Sequence, residues 1–416
     1  MALTSNPFSG KNTSSSFNVT NQFNRVGHVE IDFGTDSTYS SGAGRIAVSN
    51  QGKFFSFEGL DFKFRISKIC DEYPKGFAEI SILGLQEDTI NRLTELTTQD
   101  EAMRHKKRIR VYAGYADETN PDYKGDLICD MDIVYATPTT PPPEVWVTIT
   151  AGIRIDDKYR HFAISLPEML TERDGKKLQN TSYEAKTTWH DLKILKFCTT
   201  KMVYPLKALC GDVVSIINEQ YEKIEKETGA KLTKLQLDFR APEYYAKFDM
   251  KNIGFHPSAT DVSGIIKEMN DDLDKYKRLK FFIENGTDGK TDLLVCKELG
   301  FDESLDDSEQ QSSTSNIKHL DMYNGMVGLP SVVQGNKIRC KCLLTPGLRM
   351  LDWVKITSTI IPKMNGYWQI QEITHTGHFR GNEWYTDICG FNPEKLNLDG
   401  TTKKNGSSES VNMTKA

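Results

Sequence analysis

The stretch Gly325–Phe391 constrains the fold of this chain more than any other part of it. In Lys337–Leu344, Ile338, Cys340 and Cys342 share one face, while Lys337, Arg339 and Lys341 share the other. Trp353–Ser358 (WVKITS) is β-branched and alternates. Tyr367–Thr374 and Trp384–Cys389 flank HTGHFRGNE, whose glycines favour a turn. A period of two marks half-buried strands, and the Gly, Asn and Pro punctuation keeps the connections short. The stretch therefore predicts a small antiparallel barrel or sandwich.

The first half has a second block of the same kind. Val29–Phe33 is a possible first strand, and TDSTYSSGAG after it reads as a loop. Leu60, Phe62, Phe64 and Ile66 alternate with Asp61, Lys63, Arg65 and Ser67, the clearest strand in this half. Phe77–Leu85 returns after the turn DEYPKG. Asp88 or Thr89 caps a short helix with Ile90, Leu93 and Leu96 on one face. Strands follow at Arg108–Tyr115, Leu127–Ala136 and Val145–Ala151, and the Pro-rich TPTTPPP between the last two reads as a loop.

The middle changes period. Leu206, Leu209, Val213, Ile216, Ile217 and Ile224 mark an amphipathic helix ending near Gly229. Thr260 caps a second, with Val262, Ile265, Ile266, Met269 and Leu273 on one stripe. Leu279–Ile283 and Leu293–Cys296 read as a hairpin around NGTDG. The acidic, Ser-rich Gly300–Asn316 is a solvated linker, and the segments before Gln22 and after Lys395 are polar and low in complexity.

A length of 416 residues allows two to four domains. No apolar run reaches the ~18–20 residues of a membrane span, and the polar N-terminus has no secretory h-region. The expectation is therefore assembly in cytoplasm, unused glycosylation sequons and free, buried thiols. A formal charge of −5 argues against a nucleic-acid-binding groove and suits a channel through which DNA slides.

Residue sets that invite chemistry have plainer readings. Cys340 and Cys342 form C-x-C with Cys389 on a later strand, but a metal site lacks its fourth ligand. His375 and His378 point to opposite faces of a strand. Asn285, Asp288 and Asp292 lack the order of a calcium loop. Asp302 and Asp306 sit in the linker, where nothing raises a pKa for glycoside hydrolysis. There is no Walker A, G-x-S-x-G or G-x-G-x-x-G. No catalytic residue, cofactor or metal is expected. Trp353, Tyr367, Trp368, Trp384 and Tyr385 are core residues or a subunit interface; Tyr367 and Trp368 fall on opposite parities of one strand and cannot share one core.

The order GMVGLP, CLLTPGL, WVKITS, GYWQIQEITHTGHFRGNEWYTDI resembles the last domain of phage baseplate hub proteins of the Mu-like, late control protein D group, related to the N-terminal part of the type VI secretion spike. FKFRI, FAEISILGL, EDTINRLTEL, RIRVYAGY and KGDLICDMDIVYA resemble that group's first domain, which has the tail-tube fold. The resemblance implies a structural virion protein and not an enzyme. It implies an α+β, mainly β chain, with two tail-tube-like antiparallel barrels at 29–151 and 322–394. These flank α+β domains at 152–300, and composition adds a linker at 301–321, a flexible arm at 1–28 and a disordered tail at 395–416. The resemblance further implies a homotrimer, a pseudo-six-fold ring joining the hexameric tube to the trimeric central spike. Partners would be the spike, tail tube or tube-initiator proteins, the tape measure protein and surrounding baseplate proteins. DNA would pass through without specific binding during ejection, and the protein would not insert stably in a membrane. Asp130 and Asp132 are candidate lumen-facing residues, and Lys337, Arg339 and Lys341 are expected to point away from the bore. The alternative is a peptidoglycan- or carbohydrate-binding module or hydrolase at a tail tip, supported by the aromatics of the last block alone.

Overall fold

The computed structural model describes residues 24–33, 38–41, 44–47, 54–70, 76–94, 107–116, 120–139, 144–153, 206–228, 233–241, 243–246, 262–277, 279–286, 291–300, 317–333 and 337–392. The first block holds β1 (Arg25–Asp32), β2 (Thr38–Ser41), β3 (Gly44–Ala47), β4 (Phe55–Phe57), β5 (Phe62–Ile69), β6 (Gly76–Leu83), α1 (Glu87–Thr94), β7 (Arg108–Tyr115), β8 (Asp126–Pro138) and β9 (Trp146–Gly152). The middle holds α2 (Leu206–Thr228), β10 (Lys234–Phe239), α3 (Glu243–Ala246), α4 (Val262–Lys277), β11 (Leu279–Asn285) and β12 (Thr291–Glu298). The last block holds β13 (Lys318–Leu320), β14 (Met326–Val332), β15 (Lys337–Leu343), β16 (Trp353–Ile356), β17 (Gly366–His378) and β18 (Trp384–Phe391). The chain is mainly β, as the alternation predicts.

Alternation becomes burial directly. In β5, Phe62, Phe64 and Ile66 are buried while Lys63 and Arg65 are exposed. In β15, Ile338, Cys340 and Cys342 are buried while Arg339 and Lys341 are exposed. Each face of the pleat meets only one environment, which fixes the register.

Both blocks use the same strand order. In the first, β5, β6, β9, β8 and β7 are neighbours in that sequence across the sheet. In the last, β14, β15, β18, β17 and β16 repeat it. The likeness extends to irregularities: β8 shifts register against β9 between Ile133 and Tyr135, and β17 shifts against β18 between Ile370 and Glu372. Both bulged strands are 13 residues long. One difference is that the preceding strand β1 pairs antiparallel with β7, whereas β13 pairs parallel with β16.

The blocks are not separate sheets. β16 covers only Gly366–Gln369 of β17, and β5 pairs with the rest, from Glu372 to His378. One 13-stranded sheet therefore runs through both blocks.

The middle builds its own three-stranded sheet, β10-β12-β11, with β10 parallel to β12. Leu206, Cys210, Val213, Ile217 and Tyr221 of α2 are buried, as are Val262, Ile265, Ile266 and Met269 of α4. Each helix also secures an edge strand through one asparagine. Asn218 donates to Leu235 O at 2.8 Å and accepts from Leu235 N–H at 2.8 Å. Asn270 does the same with Phe281, at 2.8 and 2.7 Å. Edge backbone groups that lack a strand partner are thereby satisfied.

Several boundaries differ from the sequence reading. TDSTYSSGAG contributes to a hairpin, β2 pairing with β3, instead of a loop. β8 continues through Thr137 and Pro138 into the Pro-rich segment, because β9 still pairs with it there. Arg25–His28, placed in the arm, belong to β1, and Lys318–Leu320, placed in the linker, form β13. β10 was not anticipated: KLQLDF is too short and mixed for its period to show. The arm before Gln22, the tail after Lys395, Thr260, Asp288, Asp302, Asp306 and Cys198 lie outside the described residues.

Candidate assembly interface

The junction between the blocks shows how edges of this fold meet. Ser67 Oγ and Thr374 Oγ1 are hydrogen bonded at 2.9 Å across β5 and β17. Phe379 N–H donates to Phe62 O at 2.9 Å, and Cys70 N–H donates to Gln371 O at 3.1 Å. Trp384, 1% exposed, meets the Phe64 ring edge-on at 5.3 Å and donates to Gly114 O at 3.2 Å. The Arg25 guanidinium lies 5.4 Å from the Trp384 ring and donates to His378 O at 3.0 Å. Gly377 allows this approach: a Cβ there would stand 2.3 Å from Phe64 Cζ.

Two further strand edges of the same kind are open among the described residues. β7 pairs with β8 only as far as Asp132, leaving the C-terminal half of β8 without a strand neighbour on that side among the described residues. β14 is the last strand at its end of the sheet. Val134 (50% exposed) and Tyr135 (57%) lie on the first edge; Leu329 (50%), Val332 (59%) and Val333 (46%) lie on or beside the second. Of the nine large apolar side chains exposed among the described residues, five are these. Sequence reading missed both edges. The available signal was apolar pairs on adjacent parities, Val134–Tyr135 and Val332–Val333, which one core cannot absorb.

The aromatics singled out by sequence divide. Trp368 and Trp384 are buried within the chain, Trp368 donating to Met364 O at 3.0 Å. Trp353, Tyr367 and Tyr385 are half-buried. Lys355 lies 5.6 Å from the Tyr367 ring, and Lys341 lies 5.4 Å from the Tyr385 ring.

Asp130 and Asp132 are both buried and held by arginines. Arg108 Nη2 is 2.8 Å from Asp130 Oδ1, Arg110 Nε is 3.0 Å from Asp130 Oδ2, and Arg108 Nε is 3.8 Å from Asp132. Glu30 stands 4.0 Å from Arg110. The cluster is a compensated network, not a row of free carboxylates. Of the basic trio, Arg339 and Lys341 are exposed and Lys337 is half-buried. Lys341 lies 3.7 Å from Asp387.

His375 and His378 do lie on opposite sides of β17. His375 is buried and hydrogen bonded to Thr386 Oγ1 at 2.9 Å; His378 meets Asp61 at 3.2 Å. Cys340 and Cys342 are buried thiols, pushed up to about 12 by burial. Asn285 donates to Asp292 at 3.4 Å across the β11–β12 hairpin. No described helix is long and apolar enough to cross a membrane.

Comparison with known proteins bears on the class of the chain. Residues 45–219 match a family model described as baseplate hub gp41. The match covers somewhat under half of the chain, from β3 into α2. The 43 kDa tail protein of prophage MuSo2 from Shewanella oneidensis is similar in structure at a TM-score of 0.42 and 8% identity, over 88% of this chain and 99% of that one. A tail protein from Neisseria meningitidis MC58 gives 0.41 and 8%, over 91% and 100%. An E. coli component of the type VI secretion system gives 0.40 and 8%, over 83% and 76%. No curated protein matches. The resemblance to phage baseplate hub proteins read from the sequence is thus found again by the family model, and it supports a structural role in a phage tail or baseplate.

Proposed function

We propose that the chain is the structural hub of a phage baseplate, a trimeric ring around the DNA channel that joins a six-fold tail tube to a three-fold central spike. The observation carrying this reading is the repeat of one strand order, with one bulge, in both blocks. Three copies would present six similar blocks, which is what a six-fold neighbour requires of a three-fold one. A closed ring is the outcome of a heterologous contact whose rotation closes.

In this reading the blocks correspond to 29–151 and 322–394, with the α+β domains at 152–300 between them. Spike, tube or tube-initiator, tape measure and surrounding baseplate proteins are its neighbours, and its place is the virion tail. Lys337, Arg339 and Lys341 face away from the bore. Asp130 and Asp132 remain the candidate lumen pair, and their arginine partners leave a wall of little net charge. DNA carries about one negative charge per 1.7 Å of axis, so a wall without excess positive charge lets it slide. Trp368 and Trp384 are buried and offer no exposed platform for the peptidoglycan- or carbohydrate-binding alternative.

Light-scattering mass of the purified chain, alone and with neighbouring tail proteins, tests the reading. A trimer is expected. A chain that stays monomeric when bound to its spike and tube neighbours would end it.

A further inference from the structure

We infer that β14 of one copy pairs antiparallel with the C-terminal half of β8 of a second copy, in the register that β5 and β17 adopt within the chain. The inference rests on the hub reading for the number of copies only.

The template is internal. β5 and β14 hold the same place in their blocks, as do β17 and β8. The shared bulge aligns the second pair residue by residue: Ile133 with Ile370 and Tyr135 with Glu372. The pairings with β6 and β15 align the first: Ser67 faces Phe77 in one block, and Val333 N–H donates to Lys337 O, 3.1 Å away, in the other. Within the chain Thr374 faces Ser67, His375 faces Ile66 and Thr376 faces Arg65. Carried across, Thr137 faces Val333, Pro138 faces Val332 and Thr139 faces Ser331.

Backbone polarity agrees with this register. Thr139 N–H donates to Trp146 O at 2.8 Å, so Pro138, one residue back, turns its carbonyl to the open side. Val333 bonds toward β15, so Val332 turns its N–H and C=O outward. Val332 N–H then donates to the Pro138 carbonyl. Proline on an outward-facing edge position supplies no donor and discourages wrong partners. The inferred register never sets Pro138 against Pro330, a pairing in which neither residue offers an N–H. The pairing would also cover Val332 and Val333, which a lone chain leaves in water.

Cysteine cross-linking of the full chain tests this. Thr137 and Val333 would form a non-hydrogen-bonded pair with Cα atoms about 4.5 Å apart, close enough for a disulfide. Their counterparts within the chain, Thr374 and Ser67, already touch through their hydroxyls. T137C chains mixed with V333C chains and oxidised should give a disulfide-linked dimer on a non-reducing gel. Mixing T137C with V332C, whose side chain points to the other face, should give none. S67C/T374C in one chain serves as the control for oxidation. A matched pair that links no better than the offset pair overturns the inference. If wild-type chains still form a trimer in that case, the register falls and the hub reading stands. If no chains associate in any arm, nor when bound to spike and tube neighbours, both fall.

Discussion

Ser67 and Thr374 are hydrogen bonded at 2.9 Å although 307 residues separate them in the chain. Their contact joins two blocks of like strand order into one sheet, and it rests on a tightly packed set of side chains around Trp384 and Gly377.

Gly377→Ala should weaken this junction. The added methyl would lie 2.3 Å from Phe64 Cζ and 2.8 Å from Trp384 Cε3, so two buried rings must shift. A loss of about 1–3 kcal/mol is expected, read as a lower urea midpoint. Gly211→Ala in α2 is the contrast, since nothing lies within 4 Å of its added Cβ. That change should raise stability by up to about 1 kcal/mol through helix propensity. Equal effects from the two substitutions would show that the junction is not tightly packed.

His375 should make the fold sensitive to acid. Burial, with Lys68 adding to it, lowers its pKa from 6.5 to about 3. The folded protein keeps the ring neutral where the unfolded chain takes up a proton. The stability tied to this site is therefore complete above about pH 6.5 and falls by about 1.4 kcal/mol per pH unit as the pH drops toward 3. H375Q should flatten the decline in urea midpoint between pH 7 and pH 4. An unchanged slope would mean that other groups carry the acid response.

Asp130→Asn should be costly despite its near-identical shape. The carboxylate sits between Arg108 and Arg110, and its side chain has no solvent exposure. Removing one partner of a buried ionic cluster leaves uncompensated charge, with an expected loss of about 3–5 kcal/mol. Chemical denaturation measures it. A loss below 1 kcal/mol, on the order of an exposed ion pair, would indicate that water reaches the cluster.

Asn270→Ala should loosen the middle unit. It strands the buried N–H and C=O of Phe281 on the edge strand β11, at about 1–3 kcal/mol for a buried group left unsatisfied. Asn218→Ala removes the matching bonds on β10 at a more exposed site and should cost less. Hydrogen exchange at Phe281 and Leu235 gives the comparison directly. Protection unchanged in both variants would mean the asparagines do not hold these edges.

Much of the fold was legible in the sequence. FKFRI and KIRCKC declare strands because a period of two decides which side chains meet water, and that decision is local. The helix of Leu206, Val213 and Ile217 was legible for the same reason at a different period. The resemblance to hub proteins was carried by motifs that lie within such elements. Trp368 and Trp384 could be placed in the last block but not assigned to core or surface. Their burial depends on Met364, Gly114 and Phe64, and two of these three belong to the other block.

By itself the sequence determined the period of the longer elements, the rough order of their strands and the absence of any recognised catalytic motif, because these follow from neighbours along the chain. Only the tertiary structure decided that β5, paired with β6 on one side, takes β17 of the other block on its second side, that β8 and β14 end as open edges among the described residues, and that Asp130 is enclosed by two arginines. Strand pairing is written in backbone groups that every residue carries alike. A strand therefore announces itself in its side chains, while its partner is chosen by which edges the folded chain leaves open.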